Sequence, residues 1–182
     1  RKRMAFNINE FKSQLTGGGA RSNLFQVQIL NPVDSTADFK VPFMAKASSL
    51  PASTINSIDT INYFGRAVKY AGARSFDSWT VTIINDEDFT IRKALESWMN
   101  GINSHNLNIR NPLANAPLGY SVDGDVTQFG KQGNILKKCK FVGLFPTDIT
   151  LIDVDWGSND TIEEFSVTLA YQYWDAIADG VV

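Results

Sequence analysis

Residues 76–102 read FDSWTVTIINDEDFTIRKALESWMNGI, and how this stretch is read decides the fold. Its first third alternates. Phe76, Ser78, Thr80, Thr82 and Ile84 fall on one side, and Asp77, Trp79, Val81 and Ile83 on the other. Successive side chains of an extended chain point to opposite faces, so a period of two predicts a strand over 76–84. The period then changes. Ile91, Ala94, Leu95, Trp98 and Ile102 recur at three- and four-residue spacing, which is one face of a helix. A short acidic turn, Asn85-Asp86-Glu87-Asp88, joins the two. It predicts a helix over roughly 88–100, with Asp86 or Asp88 as N-cap and Gly101 as its stop. The helix face of Ile91, Leu95 and Trp98 and the strand residue Trp79 are the first candidates for a core.

Working outward, further runs with strand character follow one another. Residues 23–30 (NLFQVQIL) alternate cleanly. Residues 39–47 (FKVPFMAKA) are strand-like but contain Pro42, which suits an edge or a bulge. In 53–64, Ile55, Ile61 and Tyr63 share one parity while Ile58 and Phe64 take the other, so a strand with a bulge near Ile58 is expected. Strands are also predicted over 66–70, 126–132, 134–145 and 161–174. In the last, Phe165, Val167, Leu169, Tyr171 and Tyr173 share one face. The N-terminal residues 1–22 carry Gly17-Gly18-Gly19 and are expected to form a flexible arm. Residues 103–124 are rich in Asn, Pro and Gly and are expected to form a long surface loop. The remainder, 23–182, makes one domain of about eight strands and one solid helix: a mostly β, antiparallel barrel or sandwich with a flanking helix.

Composition narrows the function classes. The 182 residues are 43% apolar and 12% aromatic, enough for one sizeable core. No run approaches the roughly 18 apolar residues of a membrane span, and no secretory leader pattern is legible. Seventeen basic and 19 acidic residues leave a net charge of −2, against the basic excess of a general nucleic-acid binder. Cys139 is the only cysteine, so no internal disulfide can form, and with His105 the only histidine, 34 positions away, the composition argues against a zinc cluster or a histidine-based triad. The acidic groups at 86–88 and 153–164 read as a helix start and solvated turns. The stretch DVDWGSND (153–160) has an outline similar to a calcium loop, with Asp155 third and Glu164 twelfth, but Ser158 stands where the glycine belongs. GGGA at 17–20 lacks the preceding strand and the following GK[ST] of a phosphate loop. The run Lys137-Lys138-Cys139-Lys140 reads as a charged strand end with a buried, inert thiol. No nucleophile has a base beside it. No catalytic, cofactor or metal residue is therefore predicted.

What is left is the scaffold. The strands at 76–84 and 161–174 pair an apolar face with one rich in Thr and Ser. Such strands could line a wide water-filled lumen built from several subunits. Several stretches resemble the tail tube protein of contractile-tailed bacteriophages: RSNLFQVQI (21–29), FMAKASSLPASTI (43–55), YAGARSFDSWTVTIINDEDFTIRKALESW (70–98), GLFPTDI (143–149) and LIDVDWGSNDTIEEFSVTLAYQYW (151–174). The family is similar in fold to type VI secretion tube subunits. The resemblance implies a non-enzymatic subunit whose hexameric rings share one continuous barrel and stack into a hollow tube. It implies as partners a contractile sheath, baseplate and terminator proteins at the tube ends and a tape measure protein in the lumen. DNA would cross that lumen without tight binding. It also implies a virion protein assembled in the host cytoplasm, with no cofactor.

On that reading Trp79, Ile91, Leu95, Trp98, Phe165, Val167 and Leu169 pack the core, and Phe6, Phe11, Asn103 and Asn111 are candidate contacts between rings. Two alternatives stay open: a tube initiator or terminator of the same fold, and a monomeric ligand-binding β-barrel.

Overall fold

The computed structural model describes residues 8–107, 110 and 116–177. Among them are nine strands: β1 (Phe25–Ile29), β2 (Ala45–Ser48), β3 (Thr54–Tyr63), β4 (Arg66–Ser75), β5 (Trp79–Ile84), β6 (Val122–Phe129), β7 (Ile135–Ile149), β8 (Glu164–Ala170) and β9 (Tyr173–Ile177). The helices are α1 (Ile8–Gln14), α2 (Val41–Met44), α3 (Thr90–Ile102) and α4 (Pro117–Tyr120). The protein is mostly β, with antiparallel pairing throughout.

One strand organises the molecule. β7 is 15 residues long and changes partners along its length. Its first part lies between β6 and β9, with Cys139 opposite both Val126 and Ala176. Its last part pairs with β8, from Phe145↔Ala170 to Ile149↔Val167. The change falls at Gly143, whose φ of +70° is open to glycine at little cost, and where a Cβ would come within 2.8 Å of Gln172. The result is two layers that share β7: β1-β6-β7-β9 and β2-β5-β8-β7. Trp79 of one layer stacks on Phe141 of the other at 4.2 Å between ring centroids, so the core lies between them.

α3 closes one side of that core. Its residues Ile91, Ala94, Leu95 and Trp98 are buried, while the charged Arg92 and Glu96 pair across one turn on the outside. The Trp98 indole donates to the carbonyl of Tyr120 at 2.8 Å. The expected core residues Trp79, Phe165, Val167 and Leu169 are buried with them.

Several boundaries differ from the sequence reading, each for a physical reason. Residues 41–44 form a helical turn, because Pro42 sits in the first turn, where no amide donor is required. The α3 cap is Phe89, in the left-handed region at φ 53°; Asp88 accepts from the Thr90 amide one place further along, and the helix runs through Gly101. The stretch 161–174 is two strands. Alternation continues through the corner at Gln172, whose amide donates to Val142 O, but the chain changes layers there and Tyr173 emerges exposed. The region expected as a loop over 103–124 contains α4 and the start of β6, which opens at Val122 rather than 126. Residues 8–14 of the expected arm are helical, ending just before the glycines.

Candidate assembly surfaces

The described residues contain no group of three or more His, Cys, Asp or Glu side chains placed to hold a metal. Three surfaces stand uncovered among the described residues.

The first is the free margins of the layer β2-β5-β8-β7. β2 pairs only with β5, and the last part of β7 only with β8, so both margins of this four-stranded layer are open among the described residues. Four antiparallel strands alternate in direction, so β2 and the end of β7 run opposite ways. A second copy placed alongside in the same orientation would therefore meet an antiparallel partner at the seam. The outward face of the layer is a band of hydroxyls. Thr82 and Ser166 share a hydrogen bond at 3.0 Å, Thr80 and Thr168 lie opposite each other at 3.5 Å, and Thr147 donates to Thr168 O at 3.0 Å. At its end Lys46 pairs with Glu164, so the charge there is balanced.

The second is the hairpin β3–β4. Its two strands are ten residues each, about 33 Å of extended chain. They pair with each other and form their own two-stranded sheet. Ile55, Ile58, Val68 and Tyr70 are exposed on it. The register shifts between Ile55 and Ser57 and between Asp59 and Ile61, so bulges flank Ile58 on both sides. At the tip Tyr63 pairs with Arg66, and the two loop residues Phe64 and Gly65 both have positive φ, at 50° and 77°. That backbone favours Asn-Gly. A phenylalanine 91% exposed there is unfavourable for the isolated chain on both counts. A two-stranded ribbon without a core is marginal alone in water.

The third is a pair of features at the far end of the same layer. Residues 150–163, between β7 and β8, expose Leu151, Val154 and Ile162, and Trp156 is fully exposed, at 101%. Leu151, Val154 and Ile162 line an open recess of about 480 Å³ together with Asp153, Asp155 and Glu163. Nearby, Lys40 bridges Asp86, at 3.0 Å, and Asp88. The Lys40 ammonium and the Thr90 amide hold the Asp88 carboxyl well below the usual carboxylate range, and the same pairing raises Lys40.

The other layer is polar outside but charge-paired. Lys140 meets Asp123 at 2.8 Å and Lys138 meets Asp125 at 3.1 Å, and the Lys140 bond lowers the Asp123 pKa. The buried Cys139 thiol is pushed up by desolvation. His105 lies exposed in a turn after α3.

Of the candidate ring contacts, Phe11 is exposed on α1, with Ile8 and Leu15 exposed beside it, and Asn103 is exposed in an isolated bridge to Arg110. Phe6 and Asn111 lie outside the described residues. Sequence reasoning missed the hairpin as a projecting unit, and it missed Trp156. A signal was present for the first: apolar residues of both parities over 53–64 describe a ribbon with two sides to cover.

A two-layer β domain whose described residues leave two open margins on one layer and a separate two-stranded ribbon has the form of a building block for assemblies. The chain belongs to the phage tail tube protein family, whose model matches residues 9–177. It is 34% identical over 161 residues to the tail tube protein gp19 of Enterobacteria phage T4, covering 88% of this chain and 93% of that one. The Serratia phage KSP90 tail tube protein is 25% identical over 179 residues, covering 94% and 97%. The fold is shared with a chain of the sheath-tube complex of the PVC extracellular contractile injection system. That match has 18% identity and a TM-score of 0.60 over 91% of this chain and 97% of the other. The protein is thus a structural subunit of a contractile phage tail tube and a component of the virion.

Proposed function

We propose that the chain is the repeating subunit along the tube and that copies complete one another. The observation that carries this is the layer β2-β5-β8-β7, with its two open margins and even strand count. Joining β2 of one copy to the end of β7 in the next satisfies both rows of backbone groups and continues one sheet around a closed ring. Six copies form the ring. The hydroxyl band around Thr80, Thr82, Ser166 and Thr168 faces the lumen, and α3 lies on the outside. Rings then stack through β3–β4, the N-terminal segment with Phe11, and the region of Asn103.

In this reading the sheath surrounds the tube, baseplate and terminator proteins close its ends, and a tape measure protein occupies the lumen before DNA does. Assembly takes place in the host cytoplasm. The chain's role is mechanical and architectural rather than catalytic. A lumen wall of hydroxyls with paired charges gives passing DNA few cations to exchange for its counterions.

A tube-end protein of the same fold is the second reading, since a chain of the anti-feeding prophage tube terminating cap matches with a TM-score of 0.63 and 18% identity. A cap needs to present only one stacking surface. This chain presents uncovered apolar groups at both ends of its layer, which favours the repeating subunit. Negative-stain microscopy of the purified protein tests the choice. Long hollow rods with six-fold end views are expected; single rings that never lengthen would favour the cap, and solitary globules at every concentration would end both readings.

A further inference from the structure

β2 and the last part of β7 run in opposite directions, so where the two meet between copies the end of β7 lies against the start of β2. Whatever the chain places after Ile149 is thereby set beside whatever its neighbour places before Ala45.

A helically wound stretch precedes β2. The Asp38 amide donates to Ser35 O, the Lys40 amide to Ala37 O and the Met44 amide to Lys40 O. Val41 is buried and Met44 packs on the core. Phe39 and Phe43, four residues apart and so on one side of that winding, are left outside, 84% and 81% exposed. The 150–163 loop follows β7, with Leu151, Val154 and Ile162 exposed around the recess of about 480 Å³. On a single chain the two surfaces stay apart, because β8 and β5 lie between β7 and β2, an interval of about 14 Å at the usual strand spacing. Their flanks are opposite in charge. Residues 39–47 carry Lys40 and Lys46 and no acid, while residues 150–163 carry Asp153, Asp155, Asp160 and Glu163 and no lysine or arginine.

We infer that Phe39 and Phe43 of one copy are covered by the 150–163 loop of the next copy in the same ring, with the Phe43 side chain seated in the recess against Leu151, Val154 and Ile162. The inference rests on the joining of β2 to β7 proposed above and names the side chains that lock it. Each copy gives one aromatic pair and receives one, so a closed ring leaves none uncovered. A lock is needed there. β2 is four residues long and carries two alanines and a serine, so its ladder alone specifies register weakly. An aromatic side chain lodged in a recess fixes one register. Trp156 lies outside the recess and stays available for stacking.

Cross-linking on the full chain tests it. Cys139 is buried, so two introduced cysteines can be joined selectively by a short bismaleimide, which adds one thiol at each end. Phe43→Cys with Val154→Cys should give a ladder of covalent oligomers that stops at the copy number of the ring, which end views by electron microscopy give independently. Either substitution alone should give no ladder, and a mixture of the two single variants should give dimers and nothing larger. A ladder running past the ring would place the contact between rings and overturn the inference, as would intact rings that give no ladder. Phe43→Ala and Leu151→Ala should each raise the protein concentration needed for rings about tenfold, and the double variant should lose less than the two losses multiplied. Losses that multiply in full would overturn the contact, and this holds even where the cysteine pair fails to fold. A parent protein that forms no rings would overturn the joining of β2 to β7 itself, a failure distinguishable from the others.

Discussion

Trp98 shows how much rests on a single side chain. It is fully buried, it anchors α3 against the layered core, and its indole satisfies the carbonyl of Tyr120. Trp98→Ala removes a large apolar volume and orphans that acceptor, so a loss of about 3–5 kcal/mol in chemical denaturation of the subunit is expected. Phe64 should behave in the opposite sense. Its left-handed backbone costs about 1 kcal/mol that Asn would largely avoid, so Phe64→Asn should leave the isolated subunit as stable as the parent or slightly more so. On the stacking proposed above, the same substitution at the hairpin tip should impair rod growth; unchanged rods would count against a part for Phe64 in it. Asp88 gives a pH signature. Its pKa is depressed in the fold, by Lys40 first and the Thr90 amide second, so its stabilising contribution is complete above the unfolded carboxylate value of about 3.9. That contribution is lost as pH falls through the lower folded value. Thermal midpoints between pH 8 and 5 should therefore be insensitive to it, and Asp88→Asn should flatten part of the decline below about pH 4.

At the scale of elements, β7 and the hairpin make different predictions. Gly143→Ala places a Cβ in a left-handed backbone and against Gln172, and about 1–2 kcal/mol of destabilisation is expected from the backbone alone. Replacing residues 55–74 with a two-residue turn should leave a folded subunit, since the hairpin forms a sheet of its own, while abolishing rods; a subunit that unfolds would refute that independence. Legibility in the sequence followed the same division. The strand and helix in 76–102 were readable because Trp79, Val81 and Ile83 and then Ile91, Leu95 and Trp98 all point into one core, so burial and periodicity agree. The break within 161–174 was hidden because Phe165 through Tyr173 keep their alternation while the chain passes from one layer to the other. The helical turn at 41–44 was hidden because Pro42 suits both a first helical turn and an edge strand. The hairpin as a separate unit was obscured because its exposed Ile55, Ile58, Val68 and Tyr70 are not arranged by one core, so burial and periodicity do not agree there. For the same reason the candidate assembly site was less legible than the core: in the proposed tube its completion lies in further copies of the chain.

The molecule as a whole is near neutral, with net charge −2, and the layer assigned to the lumen bears hydroxyls with its lysine paired to Glu164. Assembled tubes should therefore leave duplex DNA unretarded at roughly 0.15 M salt and submicromolar protein, and a clear mobility shift in that range would contradict the lumen assignment. The way β7 is shared between the layers has a mechanical consequence as well. In the proposed tube, a thrust along the axis reaches the inner wall and the outer wall through one unbroken backbone. Sliding one wall past the other would have to rupture the hydrogen-bond rows on both flanks of that strand together. A shaft made of such subunits should resist shear much as a laminated beam does when its plies are stitched through.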